Sequence, residues 1–202
     1  MSLIKLTLQN LSLEALAWSS IIHSQNVSKG WWSNGVRGRD LVETLLLIKT
    51  ELVEAYEEHR KPDSSLGRIY TVGDNPKPEG IPIEIADDAI RTLDLIGALH
   101  REYSVEIASD AWKPDGDLEI SKNFSHAIDD EIMKLGDVRI VYESCLKDSP
   151  EQAPANLVEE LVMHLVRLFQ MATAWKFDLG AAIEQKHAYN ATRSFRHGGK
   201  KA

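Results

Sequence analysis

One cysteine, Cys145, is all that the 202-residue chain carries, which excludes an internal disulfide and a zinc site built on several thiolates. Glycine and proline are sparse, with 12 and 7 residues, so the composition favours helices over a strand-and-turn architecture. No apolar run approaches the roughly 18 residues that a membrane span needs. The first residues, MSLIKLTLQNLSL, lack the long apolar core of a secretion signal. These absences predict a soluble, cytoplasmic protein with no membrane partner. Basic charge is also short: the formal net charge of −8 gives most of the surface a sign that repels nucleic-acid backbones. What is plentiful is large apolar side chains, 43% of the residues being hydrophobic, which suits one helical domain over residues 1–202 and excludes a disordered chain.

The apolar spacing predicts an all-α bundle. Leu13, Leu16, Ala17 and Ile21 fit an amphipathic helix over 11–25 capped by Ser12, followed by a loop at 26–38 (NVSKGWWSNGVRG). Leu41, Leu45, Ile48, Leu52 and Ala55 mark the clearest helix, 39–60, which stops before Pro62. A turn-rich stretch at 62–80 contains GRIYTV, its one strand-like piece, and a helix over 81–102 tolerates Pro82 in its first turn. WKPDGD (112–117) reads as a turn, and helices are expected at 123–147, 155–177 and 178–189. EIADDAIRTLDLIG (84–97) laid over ELVMHLVRLFQMAT (160–173) matches Glu84 with Glu160 and Arg91 with Arg167, but puts Met163 where Asp87 stands. The region at about 101–160 therefore reads as an insertion or a degenerate repeat, and the helix pair 123–147 and 155–177, short of a carboxylate at Met163, is expected to pack as the other half of a bundle.

Glu51 and Glu54 lie three apart on a predicted helix, and Glu84 and Asp87 repeat that spacing on the next long one. Side chains three apart share a helix face, about 5–6 Å between Cβ atoms. Antiparallel packing of the two helices would gather four carboxylates, a donor set suited to Mg²⁺, with Mn²⁺ as the alternative ion. Asp40/Glu43, Glu54/Glu57 and Asp148/Glu151 show the same spacing, so spacing alone does not separate a site from a solvated helix face. Position does more. Glu51 lies beside the apolar stripe, and Asp87 falls in the series Ile83, Asp87, Ile90, Asp94, where a carboxylate is costly unless paired or metal-bound.

Base gathers at the other end. From Lys186 to Lys201 the chain carries Lys186, Arg193, Arg196, Lys200 and Lys201 among aromatic and histidine residues, with no acid. Lys186, Asn190 and Arg193 sit at helical spacing and present groups that suit phosphate oxygens; the alternative is a frayed basic tail. Trp31 and Trp32 offer faces for a nucleobase, with ordinary packing as the alternative. Lys29 and Arg37, in the same loop, are candidates for phosphate contact or for simple solvation. His164, on an apolar helix near Glu160, reads as a satisfied core histidine rather than a ligand.

The order KGWW (29–32), LIKTELVEAYEEHRK (47–61), KPEGIPIEIADDAIRTLDLIGAL (77–99) and KHAYNATRSFRHGGK (186–200) resembles the MazG-like all-alpha nucleoside triphosphate pyrophosphohydrolases. These blocks cover a little over a quarter of the chain, and the two acidic ones are the specific part. In that family an ExxE motif on one helix and an ExxD motif on the next hold Mg²⁺, matched here by Glu51, Glu54, Glu84 and Asp87 as catalytic and metal residues. The resemblance implies cleavage of a nucleoside triphosphate between the α- and β-phosphates, giving the monophosphate and pyrophosphate. It also implies a bundle that often forms homodimers. The chain departs from the pattern in a slightly long stretch between the two motifs, 55–83, and in the insertion, whose helix pair offers a stand-in for a partner subunit. The competing class is a helical nucleotide-binding or adaptor protein without turnover, which has little reason to hold four like charges together.

Overall fold

A computed structural model describes residues 4–74, 76–107 and 120–196; the turn expected at 112–117, His197, Lys200 and Lys201 lie outside them. The protein is a helical bundle. Its helices are α1 (Leu11–Ser28), α2 (Leu41–His59), α3 (Ile81–Tyr103), α4 (Phe124–Asp148), α5 (Ala153–Trp175) and α6 (Leu179–Thr192), with a 3-10 turn at Val36–Gly38. A two-stranded antiparallel hairpin, β1 (Tyr70–Val72) and β2 (Lys77–Glu79), separates α2 from α3. Among the described residues no helix is long and apolar enough to cross a membrane.

α3 is the axis of the molecule. Seventeen of its residues are buried, because α1, α2, α5 and α6 all pack against it. Two glycines permit this placement. At Gly97 a Cβ would run into the backbone of Ser19, so glycine lets α1 and α3 approach closely; Gly80, at φ 115°, turns the chain from β2 into α3 in a conformation that other residues resist. α4 closes the bundle by packing on both α2 and α5.

α2 follows its apolar spacing closely. Leu45, Ile48, Leu52 and Ala55 are buried, and the Asp40 carboxylate caps the helix by accepting from the Val42 N–H at 2.8 Å. α1 does not follow its own. Leu13 is 77% exposed and Ile21 41%, while Leu11, Ala15, Trp18 and Ile22 face the core. Trp18 sets this rotation: its bulk is buried and its indole N–H donates to the Ile4 carbonyl at 2.9 Å, so the stripe turns to admit it. Ser12 is not the cap either. The helix begins at Leu11, preceded by Asn10, whose side chain instead accepts from the Thr7 N–H and donates to the Lys5 carbonyl. α1 also runs to Ser28, which places Asn26 on helix rather than in the expected loop.

Candidate functional site: a carboxylate cluster beside a basic, aromatic cleft

The antiparallel contact of α2 and α3 brings Glu51, Glu54 and Glu84 together, with one oxygen of each within 4.8 Å of the others. Glu51 and Glu84 are buried at 3% and 2% exposure, whereas Glu54 faces solvent. A second group, Glu58, Glu79 and Glu84, meets the same distance and shares Glu84. Glu79 arrives on β2, the strand that pairs with β1 inside the strand-like GRIYTV piece, so the hairpin carries an acid into the site. It is paired with Lys77, and Glu58 is held by Lys61 and by the Tyr70 hydroxyl, the latter at 2.9 Å.

Asp87 stands at the edge of this cluster rather than inside it. Its Oδ2 binds the Lys186 ammonium at 2.7 Å, and that ammonium is almost wholly buried at 1% exposure. The tail reading therefore needs correction at Lys186: α6 continues to Thr192, and its lysine projects inward to neutralise a carboxylate instead of reaching out to phosphate. Arg91, one turn beyond Asp87 on α3, donates Nε–H to Glu51 Oε1 at 2.6 Å. Even with these two cations the negative charge is not matched. Burial raises the Glu51 carboxyl to about 7, with Arg91 opposing and Asp87 and Glu54 adding to the rise. Burial raises Glu84 to about 9, against Lys186 and with Asp87 and the Glu79 hydrogen bond reinforcing it. The cluster thus holds protons that a divalent cation would displace. All-oxygen donors at this spacing, two of them buried, fit Mg²⁺ or Mn²⁺.

Asp87 and Arg91 also form one wall of a cleft of about 190 Å³. Its other walls come from α1 and the loop after it (Asn26, Lys29, Trp31, Trp32), from Arg39 and from the end of α6 (Asn190, Arg193). Four of the expected binding residues, Trp31, Trp32, Asn190 and Arg193, therefore converge beside the carboxylates. Their roles differ. Trp32 is buried at 7%; its indole N–H donates to both Asp94 oxygens at 3.0 and 2.9 Å, and the Arg39 guanidinium lies 4.5 Å over its ring. Asn190 Oδ1 is buried in the cleft with no donor among the described residues. An acceptor in that state fits a ligand hydroxyl or N–H. The Arg193 side chain lines the cleft without a partner among those residues.

Lys29, in the cleft wall, ties that wall to the end of α6. Its ammonium donates to the Ala191 and Arg193 carbonyls at 3.0 and 2.5 Å, satisfying the end of α6, while Arg196 reaches back to the Gly30 carbonyl and Ser33 hydroxyl. The basic terminus through Arg196 is therefore docked on the tryptophan loop, not frayed. Arg37 turns away to Glu102.

Two further polar centres stand apart from the acidic pairs. Asp94 gathers His23 Nδ1 at 2.9 Å, Asn26 Nδ2 at 2.7 Å and the Trp32 indole; its place in the Ile83, Asp87, Ile90 series was the available signal. On the far side of α3, His164 lies fully buried between two acids, Nε2 to Asp88 Oδ1 at 2.7 Å and Nδ1 to Glu131 Oε2 at 3.0 Å, and Arg167 Nε also binds Glu131 at 2.9 Å. His164 is the satisfied core histidine that its apolar setting implied. No protein-family model, curated protein or solved structure matches the chain.

Proposed function

We propose that the chain is a nucleoside triphosphate pyrophosphohydrolase of the MazG-like kind, converting an NTP or dNTP to the monophosphate and pyrophosphate. The observation that carries this reading is the adjacency of an under-neutralised carboxylate cluster to a cleft with indole walls and the Arg193 guanidinium, which has no partner among the described residues, joined by Asp87 and Arg91. A metal-triphosphate needs both halves.

Glu51, Glu54 and Glu84 would hold the ion, with Asp87 beside them. When bound, the ion supplies charge neutralisation at the phosphates and a more acidic water. The chain supplies the rest. Arg193 binds phosphate oxygens from the cleft side, and Lys186 holds the Asp87 side chain in place through their 2.7 Å ion pair. Asn190 Oδ1 accepts from a sugar hydroxyl or a base N–H. Trp31 bounds the pocket with an aromatic surface, while Arg39 and Trp32, already stacked, form a rigid wall. A carboxylate of the cluster takes the proton of the attacking water, so no covalent intermediate is required. Coordination of the acids would also offset the desolvation cost of Glu51 and Glu84 and the repulsion from their neighbouring carboxylates. The test is a screen of the common ribo- and deoxyribonucleoside triphosphates with Mg²⁺, following pyrophosphate. Release from at least one supports the reading; tight nucleotide binding without turnover of any would turn it into the adaptor class.

A further inference from the structure

The α2–α3 and α4–α5 pairs repeat one another position by position. Along α2 the buried positions Thr44, Ile48, Glu51 and Ala55 recur on α4 as Phe124, Ile128, Glu131 and Leu135. Along α3 the positions Glu84, Asp88 and Arg91 recur on α5 as Glu160, His164 and Arg167. The contacts recur too. Arg91 Nε binds Glu51 at 2.6 Å, and Arg167 Nε binds Glu131 at 2.9 Å. α2 packs on α4 and α3 on α5, and where α3 meets α5 the corresponding residues Asp88 and His164 bind each other at 2.7 Å. Equivalent positions meet in this way across a two-fold axis.

Of the four acidic positions Glu51, Glu54, Glu84 and Asp87, two break the correspondence. Lys134 stands where the first pair has Glu54, and Met163 where it has Asp87. The Lys134 ammonium donates to Glu131 Oε1 at 3.1 Å, so a lysine of the same helix sits on the carboxylate whose counterpart, Glu51, belongs to the candidate metal cluster. We infer that the α4–α5 pair is a silenced second copy of the carboxylate site, in which the Lys134 side chain takes the place of the metal ion. This rests on the proposed function, since it gives the first pair a bound cation to imitate. Site number follows: the chain holds one metal-nucleotide site, and the copy serves as the inward face of the other half of the bundle, locked by its own lysine and arginine.

The test restores what was lost. Mn²⁺ binding is counted by electron paramagnetic resonance of the free ion, on the full chain and on the Lys134→Glu/Met163→Asp variant. The wild type should bind Mn²⁺ in a manner abolished by Glu84→Gln. The double variant should gain a further class of bound Mn²⁺ that Glu160→Gln removes and Glu84→Gln leaves. No gain in the variant overturns the inference while the first site stands; no Mn²⁺ on the wild type overturns the proposed function and the inference with it. Should the added acids unfold the variant in chelator, thermal melting decides. Mn²⁺ must restore a cooperative transition with a larger upward shift than in the wild type, and failure to do so contradicts a latent site. In the reverse direction Glu54→Lys should abolish Mn²⁺ binding at the first site and raise the melting temperature in chelator, as an internal ammonium on Glu51 requires; a fall in that temperature counts against it.

Discussion

Glu51 on α2 and Glu131 on α4 are both buried and both accept from an arginine of the following helix, yet burial raises the first to about 7, whereas the second, with His164 and Arg167 outweighing the cost of burial, falls to about 2. The difference lies in company. Glu131 faces His164, Arg167 and Lys134; Glu51 faces one arginine, two further acids, and the lysine-bound Asp87. A buried carboxylate surrounded by donors contributes to the fold, and one surrounded by acids costs stability until a cation arrives. Sites that a protein keeps at that cost are candidates for function, which is why activity is assigned to the α2–α3 side.

Substituting on the two sides should break the comparison in opposite ways. The largest effect is expected in turnover: Glu84→Gln or Asp87→Asn should lower kcat by on the order of 10²-fold or more, since ligand-shell losses of even indirect partners reach 10–100-fold, while Glu160→Gln should stay within about two-fold. Steady-state kinetics with circular dichroism as a fold control checks this. His164→Ala should do the reverse, leaving Asp88 and Glu131 buried without their bridge and costing about 3–5 kcal/mol of stability, read by urea denaturation, with little change in KM among molecules that remain folded.

The sequence patterns that survive in the structure are those in which one physical term dominates. The helices were legible because apolar periodicity on α2 and sparse glycine leave few alternatives, and the Glu51, Glu54, Glu84 grouping was legible because spacing fixes the face of each helix. Where two demands compete, pattern alone misleads. α1 turned its stripe to bury Trp18, which carries both bulk and a donor. Lys186 reads as a phosphate ligand by charge but is committed to Asp87 by the inward face of α6. Glu79 was invisible because its position depends on the register of Tyr70 against Glu79 in a three-residue hairpin, a tertiary fact. The Asp88–His164 contact depends on α3 crossing α5, and no local spacing announces it.

A pH series sharpens the contrast further. Because the folded Glu51 and Glu84 hold their protons to about 7 and 9, well above the ordinary value of 4.5, the metal-free fold binds more protons than the unfolded chain across that window. Their contribution is therefore most favourable at low pH and is lost as pH rises from about 4.5 through 7 to 9. Glu131 behaves oppositely, stabilising above its ordinary value of 4.5 and losing that contribution as pH falls towards 2. His164, raised to about 9 by Asp88 and Glu131 against its burial, stabilises fully below 6.5 and loses the contribution as pH climbs through 9. Denaturation in chelator should show stability falling above neutrality, and Mg²⁺ should restore more of it at pH 8 than at pH 6, releasing protons as it binds. Equal stabilisation by Mg²⁺ at both values would remove Glu51 and Glu84 from the ion. The smallest effect is expected at the cleft: Arg193→Ala should raise KM for the triphosphate about tenfold, the scale of one charge-assisted hydrogen bond, with kcat changing less.

The account turns on whether the α2–α3 acids split a triphosphate through a divalent cation, and one measurement reaches that directly. Phosphorus NMR follows a triphosphate turned over by the wild type in Mg²⁺, in excess chelator, and after Mg²⁺ is added back, with Glu84→Gln alongside. The account predicts monophosphate and pyrophosphate in equal amounts with Mg²⁺, none in chelator, recovery on re-addition and silence from the variant. Orthophosphate as the first product, or turnover that persists in chelator or in Glu84→Gln, would contradict it.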